Sequence, residues 1–148
     1  MCLNVSEELS KRRSFAILQT IVGLVAPFAY MKALTTFLLF NASSSGFGQL
    51  LFGLPVACFV VLALLSLLRR GDQFRVTYFG LWSAAIAGYA CLALPTTMMW
   101  IASTIPYTGG GANIGLGLLA LGSPILLPVA MSVGLAFGES RDVRKKHT

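Results

Sequence analysis

Lys32 is the only charged residue in an apolar run of 27 residues, 14–40, and Thr35 and Thr36 follow it at i+3 and i+4. On a helix these three positions share a face, so an ammonium and two hydroxyls converge on one spot. Deep in a membrane such a group is costly and marks a site for an anion or polar solute. Near the membrane surface the same lysine is an anchor whose stem reaches the headgroups. If the first helix leaves the hydrocarbon near Tyr30, Lys32 is an anchor; if it continues to Phe40, Lys32, Thr35 and Thr36 form a candidate polar intramembrane site. Residues 33–68 and 76–138 contain no Asp, Glu, Lys, Arg or His, so Lys32 has no charged partner in either stretch. Proton relays and cation carriers normally need carboxylates or histidines there.

Other residues capable of chemistry are few. His147, the single histidine, stands in a basic tail without a carboxylate neighbour to make it a catalytic base. Glu7, Glu8, Asp72, Glu139 and Asp142 are flanked by basic residues and read as solvated charge at helix ends. Cys2, Cys58 and Cys91 form no CxxC pair and no cluster with histidine, which argues against a disulfide exchanger or a zinc centre. Cys58 and Cys91 read as small packing residues, and Cys2 as a thiol open to palmitoylation. The TGGGAN segment around Gly109 lacks the GK[ST] ending of a phosphate loop, and NAS at Asn41 formally matches a glycosylation acceptor. The chain is therefore expected to have no catalytic residue, no cofactor and no metal site, and not to be an enzyme.

The elements that position these residues follow from composition. With 56% hydrophobic and 11% charged residues in 148, the chain has too few polar groups to cover a soluble globule. Four apolar segments, 14–40, 50–68, 76–102 and 114–137, each exceed the roughly 18 residues needed to cross about 30 Å of hydrocarbon. The expected fold is all-α: one integral membrane four-helix bundle over residues 1–148, with no separate soluble domain. The first segment is too long for a signal-peptide core and is read as a retained helix.

Ten of the eleven Lys and Arg residues lie before the first segment, between the second and third, or after the fourth. The positive-inside rule makes that side cytoplasmic, with both termini in, at the plasma or bacterial inner membrane. The net charge of +6 is thus a matter of topology, and its position at helix ends argues against nucleic acid. Tyr78, Phe79 and Trp82 at one end of the third segment, and Trp100 and Tyr107 at the other, suit the two headgroup regions.

Packing between helices in lipid relies on close backbone approach. Gly80, Ala84 and Gly88, and again Ala130, Gly134 and Gly138, recur every four residues and are candidate helix-packing faces; Gly53 and Ala57 form a shorter one. Pro27, Pro55, Pro95, Pro124 and Pro128 are expected to kink or end helices and to free carbonyls for Ser and Thr, with Thr96 and Thr97 placed beside Pro95. PFAYMKALTT from Pro27 and PTTMMWIAST from Pro95 echo each other 68 residues apart, and GQLLFGLP from Gly48 and GLLALGSP from Gly117 do so 69 apart. Such a repeat would make the protein two parallel helical hairpins.

Together these readings predict a non-catalytic membrane protein in contact with the bilayer and with a membrane-protein partner or further copies of itself. It would serve as an interaction or accessory subunit, a class that includes immunity proteins that bind a toxin within the membrane. The rival reading is a small oligomeric transporter or channel using Lys32, Thr35 and Thr36.

Overall fold

A computed structural model of the chain describes residues 2–38, 46–70, 73–104 and 112–146. It contains four long helices, α1 (Cys2–Leu38), α2 (Gly46–Leu67), α3 (Tyr78–Thr104) and α4 (Ala112–Lys146). Between α2 and α3 lies a small antiparallel ladder of β1 (Arg69–Arg70) and β2 (Gln73–Phe74), pairing Arg69 with Phe74 and Arg70 with Gln73. Each helix contains a stretch long and apolar enough to cross a membrane. Helices satisfy their own backbone hydrogen bonds, which is why apolar segments of this length adopt them in lipid.

Two helices outrun their apolar segments. α1 begins well before Ser14, and α4 continues past Phe137 to Lys146. Hydropathy detects the hydrocarbon, whereas helical structure persists where charges are spaced to support it. In the first turns of α1, Glu7 meets Lys11 at 2.7 Å and Glu8 meets Arg12 at 3.0 Å, both i,i+4 pairs with the acid on the N-terminal side.

The closest partners are α3 with α4 and α1 with α2; α1 also packs on α3, while α2 touches α4 sparsely. Phe15, Leu34, Phe59, Leu81, Leu92, Met99 and Leu127 fill the core. Phe15 meets Trp82 edge-on at 5.2 Å and Phe59 stacks on Tyr89 at 5.6 Å. Outside, Val25, Phe28, Ile86, Leu118, Val133 and Phe137 are exposed. So much outward apolar surface is unfavourable against water and suited to lipid.

Pro27, Pro55, Pro95, Pro124 and Pro128 lie within helices and none of them ends one, while the sixth proline, Pro106, lies outside the described residues. A helix in lipid survives a proline when another group takes up the carbonyl left without its donor. Thr96 and Thr97, beside Pro95, donate instead to the carbonyls of Leu92 and Ala93, neither of which is the carbonyl four residues before the proline.

Candidate functional site

The structure places Lys32 on the outward side of α1. Tyr30, Ala33 and Leu34 are buried in the core, whereas Lys32 and Thr36 are exposed and Thr35 is half-buried. The Oγ1 atoms of Thr35 and Thr36 both donate to the Lys32 carbonyl oxygen, at 3.0 and 2.8 Å. With their hydrogens engaged on the backbone, the hydroxyls offer only lone pairs outward, the wrong polarity for an anion. The three residues stay near one another but do not enter the bundle interior.

Polar contacts concentrate instead at the end where the basic residues gather. Arg12 is 2% exposed. Its guanidinium donates from Nε and Nη2 to Glu8 Oε1 at 3.1 and 3.0 Å and from Nη1 to the Val76 carbonyl at 2.9 Å, and it lies 3.8 Å from the Phe74 ring centroid. One side chain of α1 thus clamps the turn between α2 and α3. From the other side, Glu139 of α4 accepts hydrogen bonds at Oε1 from the Thr77 backbone N–H at 2.7 Å and from Thr77 Oγ1 at 2.9 Å. Thr77 Oγ1 in turn accepts from the Gly80 N–H at 3.0 Å, making Thr77 the N-cap of α3. A carboxylate beside a helix N-terminus is favourable. Glu139 is therefore a structural ligand of this cap and not merely solvated charge. These contacts bring the start of α1, the α2–α3 turn and the end of α4 to one end of the bundle.

Two polar contacts lie inside the apolar span, at residues the sequence reading did not single out as a site. Gln19 is fully buried and its Oε1 accepts from the Tyr89 hydroxyl at 2.7 Å, while its Nε2 has no hydrogen-bond partner among the described residues. Tyr30 of α1 donates its hydroxyl to the Ala120 carbonyl of α4, which also accepts from Ser123 Oγ at 3.1 Å. Ala120 stands four residues before Pro124, whose missing N–H leaves that carbonyl without its helical donor. Gln19 carries no charge and escapes a search for ionisable groups. For Arg12, the Glu8 spacing was a usable signal.

The glycine-rich faces form the seam between α3 and α4. Gly80, Ala84 and Gly88 are buried. A Cβ built on Gly138 would lie 2.5 Å from the Gly80 Cα, and one on Gly134 2.6 Å from the Ser83 carbonyl oxygen. Ala130 is half-buried, and Met131 takes the place opposite Gly88.

Cys58 and Cys91 are free thiols; Cys91 Sγ donates to the Ser123 carbonyl at 3.3 Å. No group of three His, Cys, Asp or Glu side chains assembles among the described residues. Asn41, Tyr107, Gly109 and His147 lie outside the described residues. Between α2 and α4 an apolar groove of about 280 Å³ opens, lined by residues including Ala57, Cys58, Leu65, Pro128, Met131 and Leu135. Compared with protein families, curated proteins and solved structures, the chain matches none.

Proposed function

We propose that this protein is a non-catalytic, multi-pass subunit of a membrane assembly, with both termini cytoplasmic and its role exerted by binding another membrane protein; immunity-type binding of a toxin falls in this class. The observation that carries the reading is the geometry of α1. Arg12 and Lys32 are 20 residues apart, about 30 Å along a helix, which is the thickness of the hydrocarbon. With Arg12 clamped at the basic end, Lys32 reaches the opposite headgroup region, where an outward lysine is an anchor and not part of a conduction path. The positive-inside rule assigns the basic end to the cytoplasm. Among the described residues the bundle interior is filled by Phe15, Phe59, Leu81 and Leu127, and Lys32 lies outside it.

A face open to a partner is on α2. A Cβ at Gly53 would meet nothing within 4 Å, and the next small residue, Ala57, is exposed. Small residues facing lipid allow another helix to approach the backbone closely. A photo-crosslinking residue at position 53, compared with one at the exposed Ile86 of α3, tests this in the membranes of the source cell. A discrete protein adduct from position 53 and not from position 86 is the expected result. Lipid adducts alone from both positions, or solute flux through liposomes holding only this chain, would replace this reading with the transporter one.

A further inference from the structure

Between α1 and α3, at the basic end of the bundle, lies a pocket of about 260 Å³. Ser10, Lys11 and Ser14 of α1 and Tyr78 and Trp82 of α3 line it, and Phe15 and Leu18 complete the α1 wall. Polar and apolar groups are ordered along its depth. Lys11 precedes the apolar run of α1, whereas Leu18, seven residues on, lies within it, about 10 Å deeper at 1.5 Å per residue. Tyr78 is the first residue of α3, and Trp82 stands one turn further in. Phe15, buried in the core, meets Tyr78 edge-on at 6.0 Å and Trp82 at 5.2 Å, so packed rings hold the α3 wall against α1.

The chemistry of the lining is one-sided. Lys11 brings an ammonium and Trp82 an indole N–H, both donors only, and the hydroxyls of Ser10, Ser14 and Tyr78 can donate as well. The side chains of Ser10, Ser14, Tyr78 and Trp82 make no hydrogen bond to another described residue. Lys11 meets Glu7 Oε1 at 2.7 Å, which engages one of its three donor hydrogens. Among the described residues no carboxylate lines the pocket itself.

We infer that this pocket binds a phosphate group, carried by an anionic phospholipid of the leaflet at the basic end or by a soluble phosphate ester. A lining of donors around one ammonium calls for a ligand made of acceptors, and phosphate oxygens accept charge-assisted hydrogen bonds from such a set. Trp and Tyr rings are at home at the headgroup level, and basic residues at helix ends attract anionic headgroups. The order of the lining also suits a lipid, whose acyl chain continues from the phosphate past Phe15 and Leu18 towards the hydrocarbon. The pocket lies between α1 and α3, apart from Gly53 and Ala57 of α2, so the inference does not depend on the subunit role.

The test uses the full chain carrying Trp100→Phe in neutral-detergent micelles, so that Trp82 is its one tryptophan. Phosphatidylglycerol and phosphatidylcholine with the same brominated acyl chains are titrated in, and quenching of Trp82 reads their arrival. Phosphatidylglycerol is expected to quench at the lower mole fraction. Lys11→Gln should weaken it about fivefold, from about 1 kcal/mol for one basic residue. Arg75→Gln, exposed but outside the pocket, should leave it nearly unchanged. Glu7→Gln removes the carboxylate that competes for Lys11 and should tighten it. Free glycerol 3-phosphate separates the two sources: relief of the quenching makes a soluble ester the ligand, and no relief makes it the lipid. Equal quenching by the two lipids would overturn the site. So would equal losses from Lys11→Gln and Arg75→Gln, which would reduce the preference to diffuse attraction at the basic end.

Discussion

At the scale of single residues, Tyr30 and Pro124 form one device built from two departures from a simple apolar helix. Pro124 leaves the Ala120 carbonyl without its helical donor, and beside the local Ser123 hydroxyl Tyr30 supplies one from α1, a helix that otherwise barely touches α4. In lipid the orphaned carbonyl has no water to fall back on. Tyr30→Phe should therefore cost about 1 kcal/mol, the net worth of a hydrogen bond. Pro124→Ala restores a backbone N–H four residues after Ala120, so Tyr30→Phe in that background should cost distinctly less. Reversible unfolding in mixed micelles gives the four values of this cycle, and strict additivity would show that the tyrosine does not act through the proline. The proline was legible in the sequence, as was the need for a compensating donor. Its source was legible in part: Ser123 beside the proline donates to the Ala120 carbonyl at 3.1 Å, whereas the second donor, Tyr30, lies 90 residues away.

At the scale of elements, the small-residue pattern marked the α3–α4 seam, although its register on α4 shifts from Ala130 to Met131. The contact and intrinsic helix propensity point in opposite directions, which makes the seam testable. Gly→Ala in a helix interior is favourable by up to about 1 kcal/mol on propensity alone. At Gly53, where a methyl group would meet nothing within 4 Å, the substitution should be neutral or stabilising. At Gly138, where the methyl would press on the Gly80 backbone, overpacking of about 1–3 kcal/mol should prevail and destabilise the protein. The same unfolding assay reads both variants, and a stabilised Gly138→Ala would mean that α3 and α4 are not in this contact. Helix ends were less legible than seams. A hydropathy scan stops at the first charges, whereas α1 extends through Glu7–Lys11 and Glu8–Arg12, and the Thr77 cap of α3 depends on Glu139 from a distant part of the chain.

At the scale of the whole molecule, four spans and a basic end are summed properties of many residues, and for that reason they could be read before any contact was known. The hairpin echo is matched at some positions and not at others. Ala16 and Ala84, and Pro27 and Pro95, are buried in pairs at the 68-residue offset, and Leu51 and Ala120, Pro55 and Pro124, and Leu62 and Met131 at the 69-residue offset. Tyr30 and Ala33, by contrast, are buried where Met98 and Ile101 at the same 68-residue offset are exposed, so burial does not make the two hairpins copies of one another. Parallel hairpins place both tails and the central turn on one side and Lys32 on the other. A Lys32→Cys chain with Cys58→Ala and Cys91→Ala, probed from outside with a membrane-impermeant thiol reagent, tests that arrangement. Ser44→Cys, between α1 and α2 in the sequence, serves as the outward control and Arg75→Cys as the inward one. Position 32 is expected to react at a rate close to that of position 44, while position 75 reacts only after the membrane is opened. Slow labelling at position 32 that a small anion blocks would put Lys32 in a buried polar site, and the protein would then be a transporter whose path runs between copies, since Lys32 faces out of the single bundle.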